Sequence, residues 1–149
     1  MRRLIALAVG LALLAPLPAF AGSPAMPGVG TPVYPASFHL SGQYTASKAG
    51  IIQFRMPYTA RVLYVSAITQ AKGGTQGTST LTCKNGATNA FTDAMDLSGT
   101  AGTVIEAVLV SAYQSIAKDT VVICDLVITG GSNPTLDNIS VVIWYQRRN

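Results

Sequence analysis

The side chains able to do chemistry are few. The chain has two cysteines, Cys83 and Cys124, one histidine, His39, and six carboxylates: Asp93, Asp96, Glu106, Asp119, Asp125 and Asp137. A Ser-His-Asp relay needs a histidine held between a nucleophile and an acid. Serine is plentiful, but no nucleophile-elbow motif surrounds one. His39, in "SFHLSGQY", falls on the polar side of an alternating run, where a surface or structural role is expected. A glycosidase needs two carboxylates converging on one sugar, and no spacing among the six suggests that. Asp93 and Asp96 in "TDAMD" could share a calcium ion with backbone carbonyls, but the denser ligand spacing of a calcium loop is missing. "GGTQG" lacks the lysine and following helix of a phosphate cradle. Two sulfurs and one imidazole fall short of a four-ligand structural zinc set. The chain is therefore read as non-enzymatic, with no catalytic residues, metal or cofactor expected.

What the cysteines do depends on compartment. The chain opens "MRRLIALAVGLALLAPLPAFAG". A basic start, an apolar run from Leu4 to Ala15, two prolines and an Ala-x-Ala site make a secretory signal peptide over residues 1–21, with cleavage after Ala21. The run is too short for a spanning helix, which needs about 20 apolar residues. No membrane span is expected in the mature chain, which is placed outside the cytoplasm: secreted, periplasmic or at a surface. In an oxidising compartment Cys83 and Cys124 have one possible intramolecular pairing, across 41 positions, and that disulfide is expected. A loop of that length is worth roughly 4 kcal/mol in the chain-entropy model. Two separate buried thiols are the rival. Losing Arg2 and Arg3 with the signal takes the net charge from +4 to +2. That is too little for the basic face of a nucleic-acid binder. The Arg147-Arg148 pair reads as a solvated end, with an anchor to an acidic surface as the alternative.

The elements that would position these residues are strands. Residues 22–36, "GSPAMPGVGTPVYPA", are proline- and glycine-rich and read as an arm or linker. From residue 37 to 149 a single domain is expected. "SFHLSGQY" alternates with Phe38, Leu40 and Tyr44 on one face. "RVLYVSAIT" is apolar on both faces and reads as a central strand. "STLTCKNGATNAF" reads as two short strands around an Asn85-Gly86 turn, "TVIEAVLV" as a strand, "TVVICDLVIT" as the strongest strand, and "ISVVIWYQ" as the last. About eight short strands separated by Gly, Asn, Asp and Pro give an all-β fold, an antiparallel sandwich or jelly-roll-like arrangement. Ser79, Leu81 and Cys83 share a face, as do Val122, Cys124, Leu126 and Ile128. The disulfide then lies inside, either across two sheets or between adjacent strands. The loops Ala71 to Thr78 and Gly130 to Asn138 are the expected binding loops.

Tyr113, Trp144 and Tyr145 are the candidate contact residues, because large amphipathic side chains often meet protein or sugar. Trp144 alternates with Val142 and points opposite to Ile143 and Tyr145, so one of these faces is less buried. A core position for Trp144 is the expectation.

The succession "FRMPYTARVLYVSAIT", "STLTCKNGATNAF", "AGTVIEAVLV", "SIAKDTVVICDLVITGG" and "ISVVIWY", about residues 50–146, resembles the small β-sandwich domains of tailed-phage virion proteins. Such domains serve as head decoration, fibre or spike parts and act by binding their neighbours. The signal peptide, the disulfide and Lys118-Asp119 in place of a Gly-Asp step depart from that pattern. A bacterial surface protein of phage ancestry would reconcile them. Residues and resemblance together imply an exported structural or adhesive protein that packs as a homo-oligomer or on a virion or surface partner. The alternative is a periplasmic or cell-surface carbohydrate-binding module with a glycan partner.

Overall fold

The computed structural model describes residues 32–148. The signal peptide and residues 22–31 of the expected arm lie outside them. The described residues are all-β: eight antiparallel strands and one short 3-10 turn at Ser111–Tyr113. In order they are β1 (Val33–Tyr44), β2 (Lys48–Arg55), β3 (Ala60–Asn85), β4 (Asn89–Ala90), β5 (Met95–Asp96), β6 (Ile105–Glu106), β7 (Ser115–Ile116) and β8 (Val121–Arg147).

The expectation of eight short strands needs correcting. β3 has 26 residues and β8 has 27, and they pair with each other from Ala60↔Arg147 to Asn85↔Val122. The stretches read as loops, 71–78 and 130–138, belong to these strands and pair with each other, for example Thr78↔Thr129 and Lys72↔Leu136. Within "TVIEAVLV" only Ile105–Glu106 forms ladder pairs. β1 begins at Val33, inside the stretch read as an arm, with Pro35 in an edge strand where its missing amide hydrogen costs no ladder bond.

A 26-residue strand would run about 85 Å if straight. Here it cannot be straight. The Asn85 side-chain amide donates to the Ser115 carbonyl at 2.9 Å, and Ser115 pairs with Arg61, so the last and second residues of β3 lie beside the same strand. The sheet is folded over. One layer holds β1, the second half of β8, the first half of β3, β6 and β7. The other holds β2, the first half of β8, the second half of β3, β4 and β5. The result is a sandwich made from one continuous sheet.

The crease is built from glycine. Gly74 has φ +68°, and a Cβ there would meet the Asn133 carbonyl oxygen at 2.0 Å. A Cβ on Gly77 would meet the Thr129 carbonyl oxygen at 2.1 Å. The two ribbons approach too closely for any side chain at these positions. The register shifts between Gly73 and Thr75, and Gly130 and Gly131 also take positive φ opposite. On the other side of β8, the β1–β2 link crosses the same crease. There Ser47 Oγ accepts from the Ile128 amide at 2.8 Å and lies 3.1 Å from the Ile128 carbonyl oxygen.

Between the layers lies one core. Val62, Val65, Val141 and Ile143 come from one layer and Leu81, Val122 and Leu126 from the other. The connector between β3 and β8 adds Phe91, Leu97 and Ile116. Cys83 and Cys124 are fully buried and bonded, joining adjacent strands rather than opposite layers. Cys83 sends its amide to Thr92 Oγ1 (2.8 Å), and its carbonyl accepts from Phe91 and Thr92. Both groups thus point away from β8. Cys83 and Cys124 form a narrow, non-hydrogen-bonded pair, with Cα atoms 4.0 Å apart, the kind that brings side chains closest. A buried disulfide of this kind forms under oxidising conditions, outside the cytoplasm. Among the described residues no helix is long and apolar enough to cross a membrane.

Candidate binding surfaces

Strand alternation decides what each layer shows to solvent. In the first layer Ile143 is in the core and Tyr145 packs against it, so Trp144 points outward. The correction is that Trp144 is not a core residue; it is half-buried on the outer face. Register then sets its neighbours. Pro35, Trp144 and Tyr64 form one row across β1, β8 and β3. Ser37, Val142, Ser66 and Glu106 form the next, and His39, Ser140 and Ile68 the third. The Ala107 amide donates to the Val65 carbonyl at 2.9 Å, which continues the β6 register beyond its ladder pairs. Val108 therefore lies beside Tyr64 and Val104 beside Ile68. These valines are 68% and 55% exposed, the most exposed large apolar side chains among the described residues. The outcome is a four-strand outer face about 15 Å wide, apolar at both ends and serine-rich through the middle.

Polar contacts on this face are local. His39 Nδ1 lies 2.9 Å from Ser140 Oγ, so the single histidine is tied to its neighbouring strand. The Tyr64 hydroxyl bonds to the Glu106 carboxylate, and this bond, ahead of burial, holds the phenol above its usual pKa. Glu106 is the one carboxylate in these three rows, and the next row, Val33, Gln146 and Arg61, adds a guanidinium.

A second surface lies at the end of the sandwich opposite the crease. Tyr145, from the last turns of β8, stacks on Tyr34 of β1 with centroids 6.1 Å apart and rings 30° from parallel. Tyr58, from the β2–β3 turn, tilts against both, at 5.9 Å from Tyr34 and 6.1 Å from Tyr145. The Arg147 guanidinium sits 5.5 Å from the Tyr58 ring centroid, within cation–π range. Burial, then the hydrogen bond with Tyr145, pushes the Tyr58 phenol up, against the pull of Arg147. Both arginines of the terminal pair are exposed, as expected of a solvated end, and the backbone is anchored: the Arg148 amide donates to the Thr59 carbonyl at 2.8 Å.

The three sequence candidates therefore divide. Trp144 lies on the outer face and Tyr145 in the tyrosine cluster. Tyr113, 40% exposed, lies in the 3-10 turn, where its carbonyl accepts from Asn85 at a long 3.4 Å. Tyr34, Tyr58 and Tyr64 were not singled out in the sequence, and Arg147 was noted only with Arg148 as a basic end. The alternation of "RVLYVSAIT" could have paired Tyr64 with Trp144 had the β3–β8 pairing been known. The two former loops present a paired ribbon, not free loops. Among the described residues no three His, Cys, Asp or Glu side chains group as metal ligands. No protein-family model matches the chain, and a search of curated proteins finds no match.

Proposed function

We propose that this chain is an exported structural or adhesive protein that acts by protein–protein assembly, of the kind used in virions and on cell surfaces. Its first neighbour is another copy of itself. The observation that carries this reading is the outer face, where Trp144, Tyr64, Val108, Val104 and Ile68 reach solvent from three adjacent strands. Apolar surface gathered in one place is the usual mark of an interface. Apart from Glu106, which lies in the central row and would face its own copy, the face is close to self-complementary. A two-fold axis lying along the Val142–Ser66 row would set the Trp144–Tyr64 row of one copy over the Ile68–Val104 row of the other, as sandwich layers pack. The signal sequence and the disulfide support export.

Light scattering of the purified mature protein tests it. A dimer or higher closed oligomer is expected, and Trp144→Arg should bring the mass to that of a monomer without lowering the melting temperature by more than a few degrees. A wild-type chain that is monomeric at high micromolar concentration contradicts the proposal.

A second reading, a carbohydrate-binding module, is favoured by one observation: Trp144 and Tyr64 stand opposite each other on a flat sheet face, an arrangement on which sugar rings can lie. Binding to a neutral glycan that disappears in Trp144→Ala, with the chain monomeric, would favour it over assembly.

A further inference from the structure

The end of the sandwich opposite the crease is distinctive in charge as well as in aromatic content. Three separate parts of the chain meet at Thr59. The Arg148 amide donates to its carbonyl, and the Lys118 amide lies 3.4 Å from its hydroxyl oxygen. Tyr58 precedes it, with Arg147 on its ring. Arg61, two residues beyond Thr59, alternates with the buried Ala60 and Val62 and so projects from the outer face at this end, with its Nε 3.3 Å from Gln114 Oε1. Arg55 closes β2 on the same side, where the Met56 amide donates to the Thr120 carbonyl. Asp119 is the single carboxylate among these groups. Over the other described residues the balance reverses, with five carboxylates against three lysines. A net charge of only +2 over residues 32–148 therefore conceals a strongly basic end.

We propose that this end binds an acidic polysaccharide. Sugar rings rest on the exposed side of the Tyr34–Tyr58–Tyr145 cluster, and carboxylates or sulfates pair with Arg147 and Lys118. Each part has a physical basis. Tyrosine supplies apolar area with a hydroxyl at its rim, which suits the mixed faces of a sugar. Guanidinium groups take carboxylate and sulfate oxygens in bidentate fashion. Arg147 is already placed by its contact with Tyr58, so little freedom is lost when it binds. Single-stranded nucleic acid also combines stacking with phosphate charge. Yet the rings here pack against one another in one cluster and form no row along which successive bases could stack. A disulfide-forming compartment points the same way. This site does not depend on what packs on the outer face.

Affinity electrophoresis and calorimetry with polygalacturonate, neutral dextran and oligodeoxythymidylate test it. Polygalacturonate should bind in dilute salt and weaken as salt rises, while dextran should not. Arg147→Ala and Tyr58→Ala should each weaken binding about tenfold, and Trp144→Ala should leave it unchanged. Lys118→Gln, at an exposed side chain, carries the same expectation should Tyr58→Ala lower the melting temperature. No binding to polygalacturonate overturns the proposal. So does tighter binding to the oligonucleotide, binding indifferent to the Arg147 and Lys118 substitutions, or binding lost with Trp144.

Discussion

Asp125 illustrates how much a single half-buried carboxylate can carry. Its oxygens meet the Lys84 ammonium at 2.6 Å and the Gly50 amide at 2.6 Å, so it ties β8 to β3 on one side and to the β2 bulge on the other. The Lys84 bond first, then the Gly50 bond, hold its pKa below the usual aspartate range. A folded-state pKa below the unfolded one means that the unfolded chain takes up the proton more readily. The stabilisation is therefore complete above the ordinary aspartate value of about 3.9 and is lost as pH falls through the lower folded value. Asp125→Asn should lower stability at pH 7 by about 1–2 kcal/mol, and the gap between variant and wild type should narrow below pH 4. Melting curves from pH 7 to pH 2 check this; a gap independent of pH would contradict it. At this scale the sequence was partly legible. Alternation showed that Trp144 and Tyr145 point to opposite faces. It could not say which face is the core, because Val142 and Ile143 are equally apolar. The Tyr34–Tyr58–Tyr145 cluster joins the first strand, a turn and the last strand, so no local pattern announces it.

At the scale of elements, the strand segments and their alternation were legible, and the continuity of the long strands was not. "AKGGTQGT" and "GGSNPTLDN" carry the glycine, asparagine and proline that usually punctuate strands. Here the same composition serves a bent, paired ribbon, since two backbones can cross a crease in contact only where side chains are absent. Gly77→Ala should therefore cost more than about 3 kcal/mol, because its Cβ would lie 2.1 Å from a carbonyl oxygen of the partner strand. Gly99, where a Cβ would meet nothing within 4 Å, is the control; Gly99→Ala should change stability by less than about 0.5 kcal/mol. Chemical denaturation of the two variants separates them, and equal costs would argue against the close ribbon contact. "TVIEAVLV" shows the converse. Its alternation was real, with Ile105, Ala107 and Leu109 packed inward and Val104 and Val108 outward. It forms few ladder bonds because the connector leaves β3 beyond Val108 to bridge the layers, where Leu109 pairs with Thr92 and the Val110 amide donates to the Phe91 carbonyl.

The whole molecule is one sheet creased at glycine and fastened near its far end by Cys83–Cys124. The all-β class and the pairing of the two cysteines were legible from composition and compartment; the choice between adjacent strands and opposite layers needed the register. The bond closes the long excursion from β3 through the connector back to β8. The Cys83→Ala, Cys124→Ala double variant should lose roughly 4 kcal/mol and melt about 10–25 °C lower, as calorimetry would record. A loss under 1 kcal/mol would mean the ladder alone holds the two strands. A rigid body of this kind presents two unlike surfaces, a largely apolar outer face and a basic tyrosine-rich end, and the proposed assembly rests on the first. The chain has a single tryptophan, and it lies on that face. Its fluorescence, followed with light scattering while the wild-type protein is diluted from high to low micromolar concentration, is the most direct test. The expected result is a red shift and a rise in acrylamide quenching that track the fall in mass. A change in mass with unaltered tryptophan emission would place the interface elsewhere and contradict the account.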